Sequence, residues 1–269
     1  MRETDAMHVV PGSVDSHFHT MVMVEKNLPA EQILDYTFAE GLAYGLDIAI
    51  NLEDFKERKT RLDRFSGVYL TAGLHPSQAG SIVFTDAEAG LRAALSDPRV
   101  VALGEIGLDW YRNHGTPEEQ RDLFVSQIEL ANRLGLPVIV HNRDATEDIF
   151  EVFRSHPPAV EGIMHCFAAD ARFARRFLDL GFSLSFGGNV TYKRSEDIRE
   201  AARITPSDRI LAETDAPFLA PQAVRGRPNH PGYVGHTYEF LAELRGESSA
   251  EVLARAAREN FERIFLATA

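Results

Sequence analysis

The sequence predicts an α/β chain folded as a single (β/α)8 TIM barrel with parallel strands, one domain over residues 1–269. Three observations lead there. Eight short apolar, β-rich runs occur, at residues 13–18, 45–52, 68–74, 100–106, 137–142, 161–167, 182–189 and 209–215, each followed by a helical pattern or a turn-rich link. The length suits one such barrel, with no linker, internal repeat or low-complexity tract to divide it. No Gly-x-Gly-x-x-Gly follows the first run, which lowers the dinucleotide-binding form of the rival architecture, an open doubly wound sheet.

In chain order, the first strand carries Val14-Asp15-Ser16-His17-Phe18-His19. Alternation along a strand puts Asp15, His17 and His19 on one face, so that a carboxylate and two imidazoles converge. Thr85-x-x-Glu88 and Thr116-x-x-Glu119 predict capping boxes, the second with Pro117 at the first helical position and Gly135 past the end. Phe124, Ile128, Ala131 and Leu134 give that second helix an apolar stripe. Asp170 opens a helix bearing Phe173 and Phe177, and Gly181 closes it. After the eighth strand, residues 216–235 read as irregular, with four prolines and three glycines. Closing helices follow, one opened by Ser248-x-x-Glu251.

Composition excludes several classes of function. A net charge of −12 argues against a broad basic surface that grips nucleic acid by counterion release, while leaving room for a nuclease whose metal ions meet the phosphate. Cys166 is the lone cysteine, so an intrachain disulfide or a thiolate metal cluster cannot form, and any metal must be held by His, Asp and Glu. No run of about 18 apolar residues occurs, and the N-terminus lacks a basic region followed by an apolar one. A soluble, cytoplasmic protein with no membrane association is expected, and no obligate protein partner is implied.

Barrel active sites lie at the C-terminal ends of the strands. There stand His17 and His19 (strand 1), His75 (strand 3), Glu105 (strand 4), His141 (strand 5), His165 (strand 6), and Glu213 and Asp215 (strand 8). Five of the ten histidines gathered at strand ends are hard to explain by core packing. Four imidazoles and two carboxylates exceed the needs of one ion and suit a binuclear centre. No lysine lies between Lys59 and Lys193 to form a carboxylated bridge, so Glu105 is expected to bridge. The reading places His17, His19 and Asp215 on one divalent ion and His141 and His165 on the other. Imidazoles favour Zn or Mn and carboxylates accept Mg, so the identity of the metal stays open.

His17-Phe18-His19, Gly104-Glu105-Ile106-Gly107-Leu108-Asp109, Val140-His141, His165-Cys166-Phe167 and Glu213-Thr214-Asp215, in this order, resemble the TatD family of metal-dependent deoxyribonucleases. The resemblance runs from about Asp15 to Phe265, and Arg225-Gly226-Arg227-Pro228-Asn229-His230-Pro231 resembles the family's Arg-Gly-Lys-x-Asn-Glu-Pro segment. It implies a barrel, divalent ions and hydrolysis of DNA phosphodiesters. The chain departs from the family pattern at Ala168-Ala169-Asp170, where Ser-Gly-Ser is common, at His230 in place of Glu, and at Ser77 in place of a second His. None of these removes a ligand.

Further roles are assigned by position. Asp15 and Glu213 are expected to orient ligand histidines from behind. His75, Lys193, Arg225 and Arg227 are expected to contact substrate phosphate, and Trp110, Tyr111 and Arg112 are placed to stack a base. Strand alternation turns Cys166 away from the ions, and His8, His114 and His156 receive no role. Asp215 is the expected general base toward a metal-activated water, with Glu105 as its catalytic partner. With net charge −12 the grip on a polyanion must be local, which suits an end of single-stranded DNA, degraded 3′ to 5′ if the chain follows the family. The rival reading is a metal-dependent ester or amide hydrolase such as a D-aminoacyl-tRNA deacylase. A non-enzymatic scaffold is disfavoured by the intact ligand set.

Overall fold

The computed structural model describes residues 7–112 and 114–267. Eight parallel strands run in sequence order around one sheet: β1 (Val14–Phe18), β2 (Tyr44–Asp47), β3 (Val68–Ala72), β4 (Val100–Asp109), β5 (Val138–Arg143), β6 (Ile163–Met164), β7 (Ser183–Phe186) and β8 (Ile210–Ala212). The sheet closes on itself rather than staying open. A parallel bridge joins Phe18 to Ala216, with His19 N donating to Ala216 O (2.8 Å) and Asp215 N to His17 O (2.9 Å). The Ser16 and Ser185 hydroxyls, 2.8 Å apart, meet across β8 inside the barrel, as side chains of alternate strands do.

Ten helices flank the strands among the described residues: α1 (Thr20–Glu25), α2 (Ala30–Ala39), α3 (Phe55–Leu62), α4 (Phe84–Leu95), α5 (Pro117–Leu134), α6 (Thr146–Ser155), α7 (Ala171–Asp179), α8 (Glu196–Ile204), α9 (Val234–Arg245) and α10 (Ala250–Phe261). The α5 start is a capping box: Thr116 Oγ1 accepts from Glu119 N (3.2 Å), and Glu119 Oε2 accepts from Thr116 N (2.6 Å). Gly135 ends α5 at φ +66°, and Asp170 caps α7 by accepting from Phe173 N (2.9 Å).

Several expected boundaries differ. Helix α4 begins at Phe84 behind Val83, which places Thr85 inside the first turn instead of at a capping box. Ser249, not Ser248, precedes α10. Leu134, expected in the apolar stripe, is exposed at the last position of α5. Strand 2 stops at Asp47 because residues 48–50 turn their carbonyls out of the ladder. Ile48 O accepts from His19 Nδ1 (3.3 Å), Ala49 O from Glu105 N (3.1 Å) and Ile50 O from His75 N (3.1 Å). Strand 4 runs on to Asp109, paired with Arg143 of β5.

Candidate metal centre

The carbonyls of residues 48–50 therefore hold two candidate ligands, His19 and Glu105, together with His75. Other pieces are fixed by buried polar side chains. Gln127 of α5 accepts from Leu74 N (2.8 Å) and donates to Leu74 O (2.9 Å), locking the residue before His75, while Gln120 does the same for Asp109 (2.9 and 3.2 Å). Asp47 accepts from Thr20 N (2.8 Å), just after His19, and is itself gripped by the buried guanidinium of Arg58 (Nε to Oδ2, 2.7 Å). Asn229 donates to Thr214 O (2.7 Å) and Phe218 O (2.6 Å), holding the turn that carries Asp215. Asp215 sits at φ +55°, a left-handed conformation that Asp tolerates better than most residues.

Glycines let β4 carry Glu105 this deep. A Cβ on Gly73 would stand 2.6 Å from Gly104 C, and one on Gly107, at φ +151°, would stand 2.0 Å from His141 O. Only residues without a side chain allow β3, β4 and β5 to approach so closely on either side of Glu105.

The two carboxylate oxygens of Glu105 face different partners. Oε1 lies 2.7 Å from His141 Nδ1 and 2.9 Å from His165 Nε2; Oε2 lies 3.4 Å from His17 Nε2 and 3.8 Å from His19 Nε2. Asp215 Oδ1 closes the second group, 3.5 Å from His19 Nε2 and 3.8 Å from His17 Nε2. The two imidazoles of that group have their Nε2 atoms 3.2 Å apart, and the His17 ring stacks on His165 at 3.8 Å. His75 Nε2 stands 3.9 Å from Glu105 Oε1, with its Nδ1 accepting from Ser77 N (3.0 Å).

The donor set fits divalent ions. In metal sites a ligand histidine usually donates its second ring N–H to a carbonyl or carboxylate, which aims the other nitrogen at the metal. His19 Nδ1 meets Ile48 O, His165 Nδ1 meets Glu213 Oε1 (3.2 Å), and both Nε2 atoms point to the shared centre. Three groupings here bring donor atoms within 4.8 Å: His17, His19 and Glu105; His17, His165 and Asp215; and His75, Glu105 and His141.

Electrostatics are those of a buried carboxylate ringed by imidazoles. Burial opposes the Glu105 charge, but His165, His141 and His17 outweigh it and hold the carboxyl well below the usual range. Burial also opposes charge on His165, yet Glu105 and Glu213 raise it well above an ordinary imidazole. His17 and His75 are both pushed down to about 3, by burial and then by the neighbouring His165 and His141 respectively, and so are neutral, which for His17 is the ligating form.

Asp15 differs from expectation. A register shift between Asp15 and Phe18 inserts one residue and breaks strict alternation. Its carboxylate accepts from Thr214 N (2.9 Å), Thr214 Oγ1 (2.6 Å) and His17 N (3.3 Å), with no hydrogen bond to an imidazole ring among the described residues. Burial lifts its pKa to about 8 against those bonds. It fixes backbone rather than a ring. Cys166 lies beyond the short β6, so alternation does not place it; its Sγ contacts Asn189 Nδ2 at 3.6 Å.

Lys193, Arg225 and Arg227 are exposed on the segments after β7 and β8, with the Arg225 guanidinium 4.0 Å over the Tyr192 ring. Trp110 is tied by its indole N–H to Asp148 (2.9 Å), whereas Tyr111 is 64% exposed under Arg143 (4.1 Å). A cavity beside the centre is lined by Asp109, Trp110, Arg112, Gln120 and Asp148.

Sequence reasoning missed Asp109 and Phe218. Asp109 Oδ2 lies 3.4 Å from His141 Nε2, and although burial disfavours its charge, the neighbouring His141 pulls its pKa down to about 2. Phe218 is 40% exposed, edge-on to His19 at 6.1 Å and beneath Lys26 Nζ at 4.3 Å. The Gly-Glu-Ile-Gly-Leu-Asp motif contained the signal for the first; only the folded turn reveals the second.

Known proteins are similar to this chain in architecture and sequence. A chain named YJJV, a TatD homolog from Escherichia coli, superposes with a TM-score of 0.83 at 28% identity, covering 94% of this chain and 98% of that one. The protein named "Uncharacterized metal-dependent hydrolase YcfH" from Escherichia coli (strain K12) is 36% identical over 255 residues, 94% of this chain and 95% of its own. The Klebsiella pneumoniae (strain 342) protein named "3'-5' ssDNA/RNA exonuclease TatD" is 33% identical over 225 residues, 81% of this chain and 85% of its own. The sequence profile described as "TatD related DNase" matches residues 14–266, from the start of β1 to the last turn after α10. A match over that whole span, on a barrel whose strand ends carry the histidines and acids described, means that the chain belongs to the TatD related DNase family.

Proposed function

We propose that this chain is a metal-dependent hydrolase that removes nucleotides from the 3′ end of single-stranded DNA. One observation carries the reading: the oxygens of a single buried carboxylate, Glu105, are divided between two sets of donors, His141 with His165 and His17 with His19. That division is the arrangement a bridging ligand between two cations requires. The metal-dependent hydrolase and 3′-5′ exonuclease named among the relatives support the same direction.

In this reading His17, His19 and Asp215 would hold one divalent ion, His141 and His165 the other, and Glu105 would serve both; Zn, Mn and Mg all suit the mixed donors. The ions, when bound, supply Lewis acidity toward a phosphoryl oxygen and lower the pKa of water. Asp215 accepts the proton of the attacking water, whose oxygen bonds to phosphorus. The bond from phosphorus to the 3′-oxygen of the shortened strand breaks, that oxygen takes the proton held by Asp215, and a nucleoside 5′-monophosphate leaves. Glu213 keeps the His165 ring aimed, and Asp109 does so for His141. His75 stands where it reaches a phosphate oxygen, Lys193, Arg225 and Arg227 supply the local positive charge, and Phe218 and Tyr111 offer ring faces to bases.

The test uses end-labelled single-stranded DNA, duplex DNA and RNA, each with Zn2+, Mn2+ and Mg2+. A ladder of shortened products from 3′ ends, strongest on single-stranded DNA, is expected. Intact oligonucleotides in every metal, together with rapid cleavage of aminoacyl esters, would overturn the proposal in favour of a deacylase.

A further inference from the structure

We infer a second, separate cation site, formed by His8, His236 and Glu239 on the outer face where α9 meets the segment before β1, that takes one borderline divalent ion of the Zn2+ class. Two imidazoles, one carboxylate and a water make a common tetrahedral zinc set. His236 and Glu239 stand three apart on α9, hence on one face of it. His8 arrives on a strap pinned by its own backbone, with His8 N donating to Gly232 O (2.6 Å) and Gly235 N to His8 O (2.8 Å). Gly235 is what permits that approach, since a Cβ there would stand 2.3 Å from His8 O. The three ligands are thus presented by two elements whose separation is fixed.

The side chains go beyond an ordinary ion pair. A histidine paired with a carboxylate needs one imidazole and an aligned N–H. Here the His8 and His236 rings are 4.5 Å apart, tilted by 32°. His8 Nε2 lies 2.9 Å from Glu239 Oε1, yet that buried nitrogen has no aligned hydrogen-bond partner among the described residues. One donor atom from each residue lies within 4.8 Å of the others. A tetrahedral ion with bonds of about 2.0 Å spaces its ligands about 3.3 Å apart. The adjustment falls on Glu239, whose side chain is 57% exposed and has room to turn inward. Among the described residues none of the three makes an ion pair or ring contact with the barrel-mouth centre, so the ion would staple the strap at residues 7–11 to α9 without taking part in hydrolysis.

The full-length chain, its barrel-mouth centre already saturated, is titrated with Zn2+ by calorimetry beside the variants His236→Gln and Glu239→Gln. The wild-type chain is expected to take up one more ion per chain than either variant, and its melting temperature to rise with Zn2+ where theirs does not. Hydrolysis rates should be alike in all three. Equal uptake and equal Zn2+-dependent melting in all three proteins would overturn the site. Glu239→Gln changes an exposed side chain, so a folding defect in His236→Gln would not obscure the result.

Discussion

Replacing Glu105 by glutamine keeps shape and volume but turns one carboxylate oxygen into an NH2 group, which donates hydrogen bonds and cannot ligate a cation. Because Oε1 faces His141 and His165 at 2.7 and 2.9 Å while Oε2 faces His17 and His19 at 3.4 and 3.8 Å, the amide oxygen can serve one side only. The count should therefore fall by about one ion per chain. Losing a partner behind a ligand costs about 10–100-fold in affinity, so loss of the ligand itself sets a floor near 100-fold, about 2.8 kcal/mol, for the orphaned ion. With one ion missing, kcat on labelled oligonucleotides should drop by about 10^3, roughly 4 kcal/mol of barrier. His75→Ala is the comparison, since His75 Nε2 stands 3.9 Å from Oε1 and its loss removes at most a substrate contact, costing about 10-fold. Metal analysis of protein purified without chelator gives the count, and far-UV circular dichroism checks the fold. A Glu105→Gln protein that keeps two ions and the wild-type rate would refute the bridging assignment.

Asp215→Asn removes the proton acceptor while its neighbours remain, so kcat should fall by about 10^2 to 10^4 with at least one ion retained; a rate near wild type would move the base elsewhere. Phe218→Ala should raise KM for oligonucleotides by the equivalent of about 1–3 kcal/mol, the usual worth of stacking one base, and leave cleavage of a small phosphodiester unchanged. Arg58→Met strands Asp47 as a buried charge without its partner, and urea unfolding should show about 3–5 kcal/mol lost.

The barrel was legible because each strand run is apolar, short and bounded, a pattern that survives without knowledge of partners. Its edges were less so. Thr85 and Ser248 carry the right chemistry for capping, but Val83 and Ser249 precede the helices, since packing against the sheet decides where a helix starts and a motif of four residues does not sense it. The histidines and acids at strand ends were readable from periodicity and position. Asp15 reaches His17 through its backbone N–H rather than its ring, beside an irregularity in β1 that is invisible in the sequence. Gln120, Gln127 and Asn229 read as ordinary helix or loop residues, and their work on the site exists only once distant backbone is folded beside them. His8 and His236 are far apart in sequence and meet only when α9 packs on the strap.

The joint where the barrel closes has a mechanical meaning. Strand β8 is three residues long, and the hoop is completed past its end, where Asp215 N and Ala216 O pair with His17 O and His19 N. The donors proposed to grip one cation thus stand on both lips of the join, two imidazoles on one lip and a carboxylate on the other. A cation held there acts as a rivet, and whatever affinity it has for the closed hoop is added to the stability of the closure. Ion release and parting of the lips then become one motion, so exchange of the His19 and Asp215 amides with solvent should slow as the metal is loaded, well before the rest of the fold responds.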